Sequence, residues 1–281
     1  MIKRIVRRLP GVKQLKDIKH LAKDKGILQL EKGQLEADVR NFKHVSEDAR
    51  TFLAHRFIKG AGIEVGAAHH PLELPPKAKV KYVDVFTAAD LRKAFPIEYE
   101  NAEIVDIDVV DDGEKLSKFK ANSLDFIIAN HFLEHCLDPI GTLLNMYTKL
   151  RKNGVLFMAV PDMRYTFDRK RQLTTYDHLL EEHKDKTKKK FREEHTREYV
   201  KLAIPIDQHF NDTELKSRST EAQIQHFLNS DYRIHYHVWT QREITELFAR
   251  ISQDFKIHLE IEAVLKNEHE VIYVLRKGTK V

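Results

Sequence analysis

A strand that ends in a turn of small residues, followed twenty positions later by a carboxylate, is the most informative pattern in this sequence. Gly62-Ile63-Glu64-Val65-Gly66-Ala67-Ala68 reads as the buried strand and its turn. Without bulky side chains, such a turn lets backbone amides approach a ligand closely. Asp84 closes the next apolar run, where a carboxylate accepts hydrogen bonds from both hydroxyls of a ribose. Asp111-Asp112-Gly113-Glu114 follows a third run and offers an acid to the exocyclic amine of adenine. Asn130-His131-Phe132-Leu133-Glu134-His135 follows a fourth, at the carboxyl edge of the expected sheet, where ligands of open α/β folds lie. The chemistry these residues share is the holding of a nucleoside.

The elements that must position them are short β-branched runs alternating with helical stretches. Strands are expected at 62–65, 80–85, 103–108, 124–129 and 155–160. Alternation of this kind implies a mostly parallel sheet with helices on both faces. Asp138-Pro139 is a cap followed by a residue suited to a first helical position, and Ile140, Leu143, Leu144, Tyr147 and Leu150 then form an apolar stripe that Gly154 closes. Thr87 and Asp90 have capping-box spacing for another helix. After Asp162 the alternation breaks into a polar, helical segment, read as an inserted cap. A helix over 240–251 and an antiparallel hairpin of 257–262 with 271–275 complete the sheet. The expected organisation is a basic helical arm over 1–50, a Rossmann-like core over 51–162, a helical cap over 163–239 and a closing helix and strands over 240–281.

Composition narrows the setting. A net charge of +5 arises from 48 Lys and Arg against 43 Asp and Glu, too balanced to imply a nucleic-acid partner. Cys136 is the only cysteine, so an internal disulfide is excluded, as suits a reducing cytoplasm. The longest apolar run, 155–160, is far short of the ~20 residues that span a bilayer. Nine Lys and Arg against two Asp over 1–26, with apolar residues at roughly helical spacing, leave two readings of the arm. It packs on the core with its basic face in water, or it meets an anionic membrane surface or a membrane-bound partner. The expected location is the cytoplasm, including the inner face of the membrane.

With those residues in view, the chain resembles the class I S-adenosylmethionine (SAM)-dependent methyltransferases. Glu64-Val65-Gly66-Ala67-Ala68 is similar to their first motif, Asp84 to their acidic second-strand residue and Asp112 to their adenine-side acid. Phe132-Leu133-Glu134-His135, Lys152-Asn153-Gly154 and Val160-Pro161-Asp162 resemble the segments after the fourth strand and on either side of the fifth. The resemblance covers about 61–162 and the final strands. It implies SAM as cofactor, S-adenosylhomocysteine as product, and a pocket lined by Glu64, Gly66, Ala67, Ala68, Asp84, Asp111, Asp112 and Asn130. One departure is plain. His69-His70-Pro71-Leu72-Glu73-Leu74-Pro75-Pro76 stands where the family has a long helix, and its three prolines forbid one.

That departure, with Asp162-Met163-Arg164-Tyr165-Thr166-Phe167-Asp168 and His235-Tyr236-His237-Val238-Trp239-Thr240, resembles a bacterial subgroup associated with surface-glycan assembly. The resemblance implies O-methylation of a sugar or glycan acceptor, nucleotide- or lipid-linked, and a glycan enzyme as a partner that the N-terminal arm would meet. Alternatives are a small-molecule, protein or nucleic-acid acceptor, or a SAM-binding interaction protein without turnover. A hydroxyl acceptor needs a base, and His131, next to the cofactor-edge Asn130, is the first candidate. Asp162, Arg164, Tyr165, His235 and His237 are candidate acceptor contacts. His235 and His237, two apart on an extended segment, are expected to share one cleft. His135 is read as tying its own turn, Trp239 as a core anchor rather than a sugar platform, and no metal site is expected. Arg164, Arg169, Lys170 and Arg171 either bind an anionic acceptor or form a solvated face.

Overall fold

The chain divides into two units, Met1–Phe52 and Leu53–Val281. The computed structural model describes residues 49–278 apart from 97, 98, 100, 101, 209, 211 and 231. The expected N-terminal arm therefore lies, save for its last two residues, outside the described residues. The elements run in the order α1 (Ala49–Phe57), β1 (Ala61–Val65), β2 (Lys79–Asp84), α2 (Ala88–Ala94), β3 (Val109–Val110), β4 (Leu124–Ile128), α3 (Pro139–Lys149) and β5 (Leu150–Pro161). Then follow α4 (Tyr176–Lys184), α5 (Lys189–Leu202), α6 (Thr213–Ser217), α7 (Thr220–Asn229), α8 (Gln241–Asp254), β6 (Leu259–Asn267) and β7 (Glu270–Lys277).

The seven strands form one sheet in the order β3-β2-β1-β4-β5-β7-β6. Every pair is parallel except β5 with β7 and β7 with β6. This is the expected Rossmann-like sheet ending in an antiparallel hairpin. Sequence order reverses between β1 and β4, so their carboxyl ends open the crevice in which ligands of such sheets bind. The central strands are covered on both faces: Val155 to Pro161 in β5 and Glu270 to Leu275 in β7 are buried without a break. Continuous apolar runs, not alternation, are what two-sided burial demands. On one face the core gathers Ile140, Leu143 and Met146 of α3 with Ile244, Leu247, Phe248 and Ile251 of α8. Among the described residues no helix is long and apolar enough to cross a membrane.

Local signals explain most boundaries. Asp138 accepts the Gly141 amide at 2.9 Å ahead of Pro139, and Thr87 accepts that of Asp90 at 3.1 Å. Thr240 and Glu243 close a full capping box at the start of α8. No helix joins β1 to β2. Instead the buried Glu64 carboxylate accepts the Leu72 amide at 3.1 and 3.2 Å, fixing the proline-rich loop from within.

Three expectations change. The third strand is not 103–108 but the two residues Val109 and Val110, because the Asp108 carboxylate takes the Tyr82 amide at 2.8 Å and so occupies a ladder position. Leu150 does not belong to the helix but opens β5, and Gly154 lies inside that strand. There β5 bulges against β4, and a Cβ on Gly154 would sit 2.9 Å from the Arg151 carbonyl oxygen. The closing hairpin is longer than expected, reaching Asn267 before a tight turn in which Glu268 takes φ 49°.

Close packing of β1 on β4 makes Gly62 irreplaceable. A Cβ there would stand 2.2 Å from the Phe126 carbonyl oxygen and 2.5 Å from its ring. Gly62→Ala is expected to cost about 1–3 kcal/mol, read as a lower urea midpoint at unchanged slope. An unshifted midpoint would mean that the two strands are not packed this way.

Candidate functional site

Two cavities meet at the carboxyl edge of the sheet. The first, of about 270 Å³, lies between the turn after β1, the end of β2 and the turn after β4. Val65, Gly66, Asp84, Phe86, Asp112 and Phe132 are among its walls. Gly66 takes φ 67°, a conformation that L side chains rarely adopt, and donates its amide to the Val83 carbonyl at 3.0 Å. Asp84 is half-buried and accepts the Phe86 amide at 3.1 Å. Burial raises its pKa against the opposing pull of the Phe86 and Val85 amides.

An aromatic wall completes the cavity. The Phe95 ring meets Phe86, Tyr99 and Tyr232 edge-on, with centroids 6.3, 6.2 and 5.8 Å away. Gly113 wedges between Val65 and Phe132, where a Cβ would come within 2.4 and 2.6 Å of them. A half-buried carboxylate, a glycine turn and an aromatic wall suit a nucleoside. The ribose would fall to Asp84 and the base to the rings.

The expected cofactor residues divide on this geometry. Gly66, Asp84 and Asp112 line the cavity, whereas Glu64, Ala67, Ala68, Asp111 and Asn130 do not. Each of the second group has another task. Glu64 holds Leu72, as above. Ala67 and Ala68 give their carbonyls to the amides of His70 at 2.8 Å and Val105 at 2.9 Å. The Asp111 carboxylate is filled by the amides of Asp112 and Lys118 and the hydroxyl of Ser117, which hold its pKa low against burial. The Asn130 side-chain oxygen accepts the Ala159 amide at 2.9 Å and fastens β4 to β5.

The second cavity, of about 430 Å³, has Tyr165, Phe167, Arg169, Asp207, His235 and His269 in its walls. His131 lines both cavities. Its backbone sits at φ 47°, and its Nε2 lies 2.6 Å from Glu270 Oε2, with Nδ1 3.5 Å from Glu134 Oε1. Glu270 is buried at the start of β7, and its other oxygen accepts the Asn267 side-chain amide at 2.8 Å. Glu134 is also buried. Burial raises its pKa, while the neighbouring His131 and His235 pull it back.

Among the acceptor candidates, Tyr165 and His235 reach the second cavity; Asp162, Arg164 and His237 do not. Arg164 clasps Asp162 through Nε at 2.9 Å and a terminal nitrogen at 2.5 Å. His235 and His237 do not share a cleft: His235 Nδ1 meets Asp168 at 2.6 Å, while His237 is 1% exposed with Nε2 2.6 Å from Glu182. The segment that carries them is not a paired strand, so two-residue periodicity does not apply. Burial and the charge of His235 lower the His135 pKa to about 3, and its Nδ1–H donates to the Arg233 and Ile234 carbonyls rather than to its own turn. Trp239 is a core residue. Arg171 fits neither reading of its segment: it is buried between Asp168 and Glu198 and donates to the His235 and Tyr236 carbonyls.

A family model described as a methyltransferase domain matches residues 40–251, well over half of the chain. The chain belongs to this methyltransferase family. No curated protein matches the sequence. Among solved structures, it is similar to a SAM-dependent methyltransferase from Methanosarcina mazei, with 13% identity, 81% of this chain and 98% of that one covered and a TM-score of 0.40. It is similar also to one from Thermotoga maritima, at 17% identity, 84% and 97% coverage and a TM-score of 0.40. The CurJ carbon methyltransferase shares 12% identity over 79% of this chain at a TM-score of 0.39, and this chain spans about half of it, 49%.

Residues that the sequence reading missed fall into two groups. Phe95, Tyr99 and Tyr232 of the aromatic wall stand in segments without a motif, and only Phe86, two residues beyond Asp84, had a positional signal. His269 sits in the hairpin turn and Glu270 at the first position of β7 beside it, where polar residues are ordinary, and nothing in the sequence ties them to His131.

The Asp168–His235 pair carries a pH signature. Burial alone would depress the His235 pKa, but the hydrogen bond and charge of Asp168 outweigh it and raise the value above 6.5. Asp168, pushed up by burial, is held below its ordinary value by His235 and Arg171. His235 therefore adds stability that is complete below about pH 6.5 and is lost as pH rises through its raised value. Asp168 adds stability that is lost only in acid. The urea midpoint should fall between pH 6 and 9, and His235→Gln should flatten that fall; an equal fall in the variant would locate the effect elsewhere.

Proposed function

We propose that this methyltransferase transfers a methyl group from SAM to a hydroxyl of a sugar or glycan, with His131 as the general base. The observation that carries the reading is the position of His131 in the walls of both cavities, backed by the buried Glu270. Bound SAM supplies an already activated methyl on a sulfonium, so the protein's work is alignment and proton removal. Gly66 and Asp84 hold the nucleoside, and Phe86, Phe95 and Phe132 enclose it.

The second cavity offers what a polyhydroxyl acceptor requires. Tyr165 and Phe167 add aromatic surface to its wall, while Arg169, Asp207 and His235 supply donors and acceptors. The helices between β5 and α8 select the acceptor. Arg169 suits a linked phosphate or acidic sugar.

Proton transfer follows from the hydrogen bonds of His131. With Nε2–H donating to Glu270, the lone pair lies on Nδ1, which would take the proton of an acceptor hydroxyl. The imidazolium formed has Glu270 at 2.6 Å and Glu134 at 3.5 Å, so both carboxylates stabilise the charge. Glu270 also fixes the tautomer, as a carboxylate behind a catalytic histidine does.

Two experiments test the reading. Asp84→Ala should weaken SAM binding about 10- to 100-fold by calorimetry with the fold retained, the loss expected for hydrogen bonds to a charged group. Equal affinity would remove Asp84 from the cofactor site. His131→Ala should leave SAM affinity intact and lower kcat about 10²–10⁴-fold on a methyl-accepting glycan, with Glu270→Gln showing a smaller loss in kcat at unchanged KM. Normal turnover by His131→Ala would place the base elsewhere.

A further inference from the structure

Away from both cavities, the helices after β5 gather imidazoles around one buried carboxylate. His178 and Glu182 stand four residues apart on one face of α4, and His195 faces them from α5. His178 Nε2 and His195 Nε2 are 3.4 Å apart and lie 3.1 and 2.5 Å from the same oxygen, Glu182 Oε1. His237 Nε2 meets the other oxygen, Oε2, at 2.6 Å. The Glu182 side chain is 1% exposed and that of His178 32%, so one edge of the cluster reaches solvent.

We propose that His178, Glu182 and His195 form a Zn²⁺ site, with His237 holding the second oxygen of the ligating carboxylate. Two histidines and a glutamate are a zinc ligand set that leaves a fourth position for water, here on the solvent side at His178. With Zn–N distances of about 2.0–2.1 Å, a tetrahedral site separates its ligand atoms by roughly 3.3 Å. The two nitrogens are already at that spacing, as is one nitrogen with the oxygen; only the His195–Glu182 edge must open, by under about 1 Å. On binding, His178 and His195 each release Nε2 to the metal and carry the proton on Nδ1. The ion also answers an electrostatic need, since a buried carboxylate requires cationic compensation.

The site would brace the acceptor cavity without entering it. His195 shares α5 with Glu198, which pairs with Arg171, and that guanidinium donates to the carbonyls of His235 and Tyr236. His237 belongs to the same segment. The proposal does not depend on the identity of the acceptor.

The test uses the full chain with zinc and cobalt as probes. After dialysis against buffer containing trace Zn²⁺, the wild type should retain a single zinc by elemental mass spectrometry. It should give the visible bands of tetrahedral Co²⁺, and its melting temperature should rise with added Zn²⁺. The double variant H178Q/H195Q should lose all three, its circular dichroism unchanged. If that variant fails to fold, H178Q alone, altered at the solvent edge, should still lose the retained zinc. Absence of zinc, cobalt bands and thermal shift in the wild type would overturn the proposal. So would full retention in the variants, which would place the ion at another cluster such as His131, His269 and Glu270.

Discussion

A strand that runs backwards in an otherwise parallel sheet begins where its neighbours end. The site depends on that reversal. Glu270 is the first residue of β7 and pairs with Pro161, the last of β5. It thus arrives at the carboxyl edge, beside the turn that follows β4, and meets His131 across the end of β5. A parallel final strand would have brought its last residue to that edge, and the buried carboxylate would have lost its imidazole. Leaving either partner unpaired there is costly, because a buried charge without compensation is strongly destabilising.

Burial on both sheet faces fixes the frame within which this contact forms. Where β4, β5 and β7 are covered on both sides, strand ends cannot slide without exposing apolar residues, and the turns beyond them inherit that rigidity. His131 adds a constraint of its own, holding φ 47° while its amide donates to the Ala159 carbonyl at 2.8 Å. Strained backbone at a cavity rim persists only where the surroundings hold it. The proline-rich loop after β1 solves a related problem. A helix would have satisfied its own amides; here a buried carboxylate, Glu64, is spent on the loop instead.

The helices after β5 are tied by polar bonds buried beneath them. Arg171 bridges Asp168 and Glu198, and Glu182 meets three imidazoles. Such networks set relative position more sharply than apolar contact does, because each member has few acceptable partners. This explains why Arg171 and His237, both natural candidates for substrate contact, are interior.

Much of the fold was legible in the amino-acid sequence, for a local reason. Strands buried on both faces leave unbroken apolar runs, and helix starts leave caps such as Thr87 and Asp138, so β1, β4, β5, β7 and the starts of α2 and α3 were readable from neighbouring residues alone. The placement of Gly66 and Asp84 at the sheet edge, in the wall of a cavity, was legible as well, since both follow directly from where a strand ends. Beyond that, tertiary structure decided. Glu64, Asp111 and Asn130 have the right chemistry for a cofactor, yet in this fold they accept from Leu72, from Asp112, Ser117 and Lys118, and from Ala159. Glu270 has no sequence signature of a site and meets His131 only because β7 runs antiparallel. Residue type and spacing report what a side chain can do; which partner reaches it first is set by how segments pack, as with His131 and Glu270, 139 residues apart.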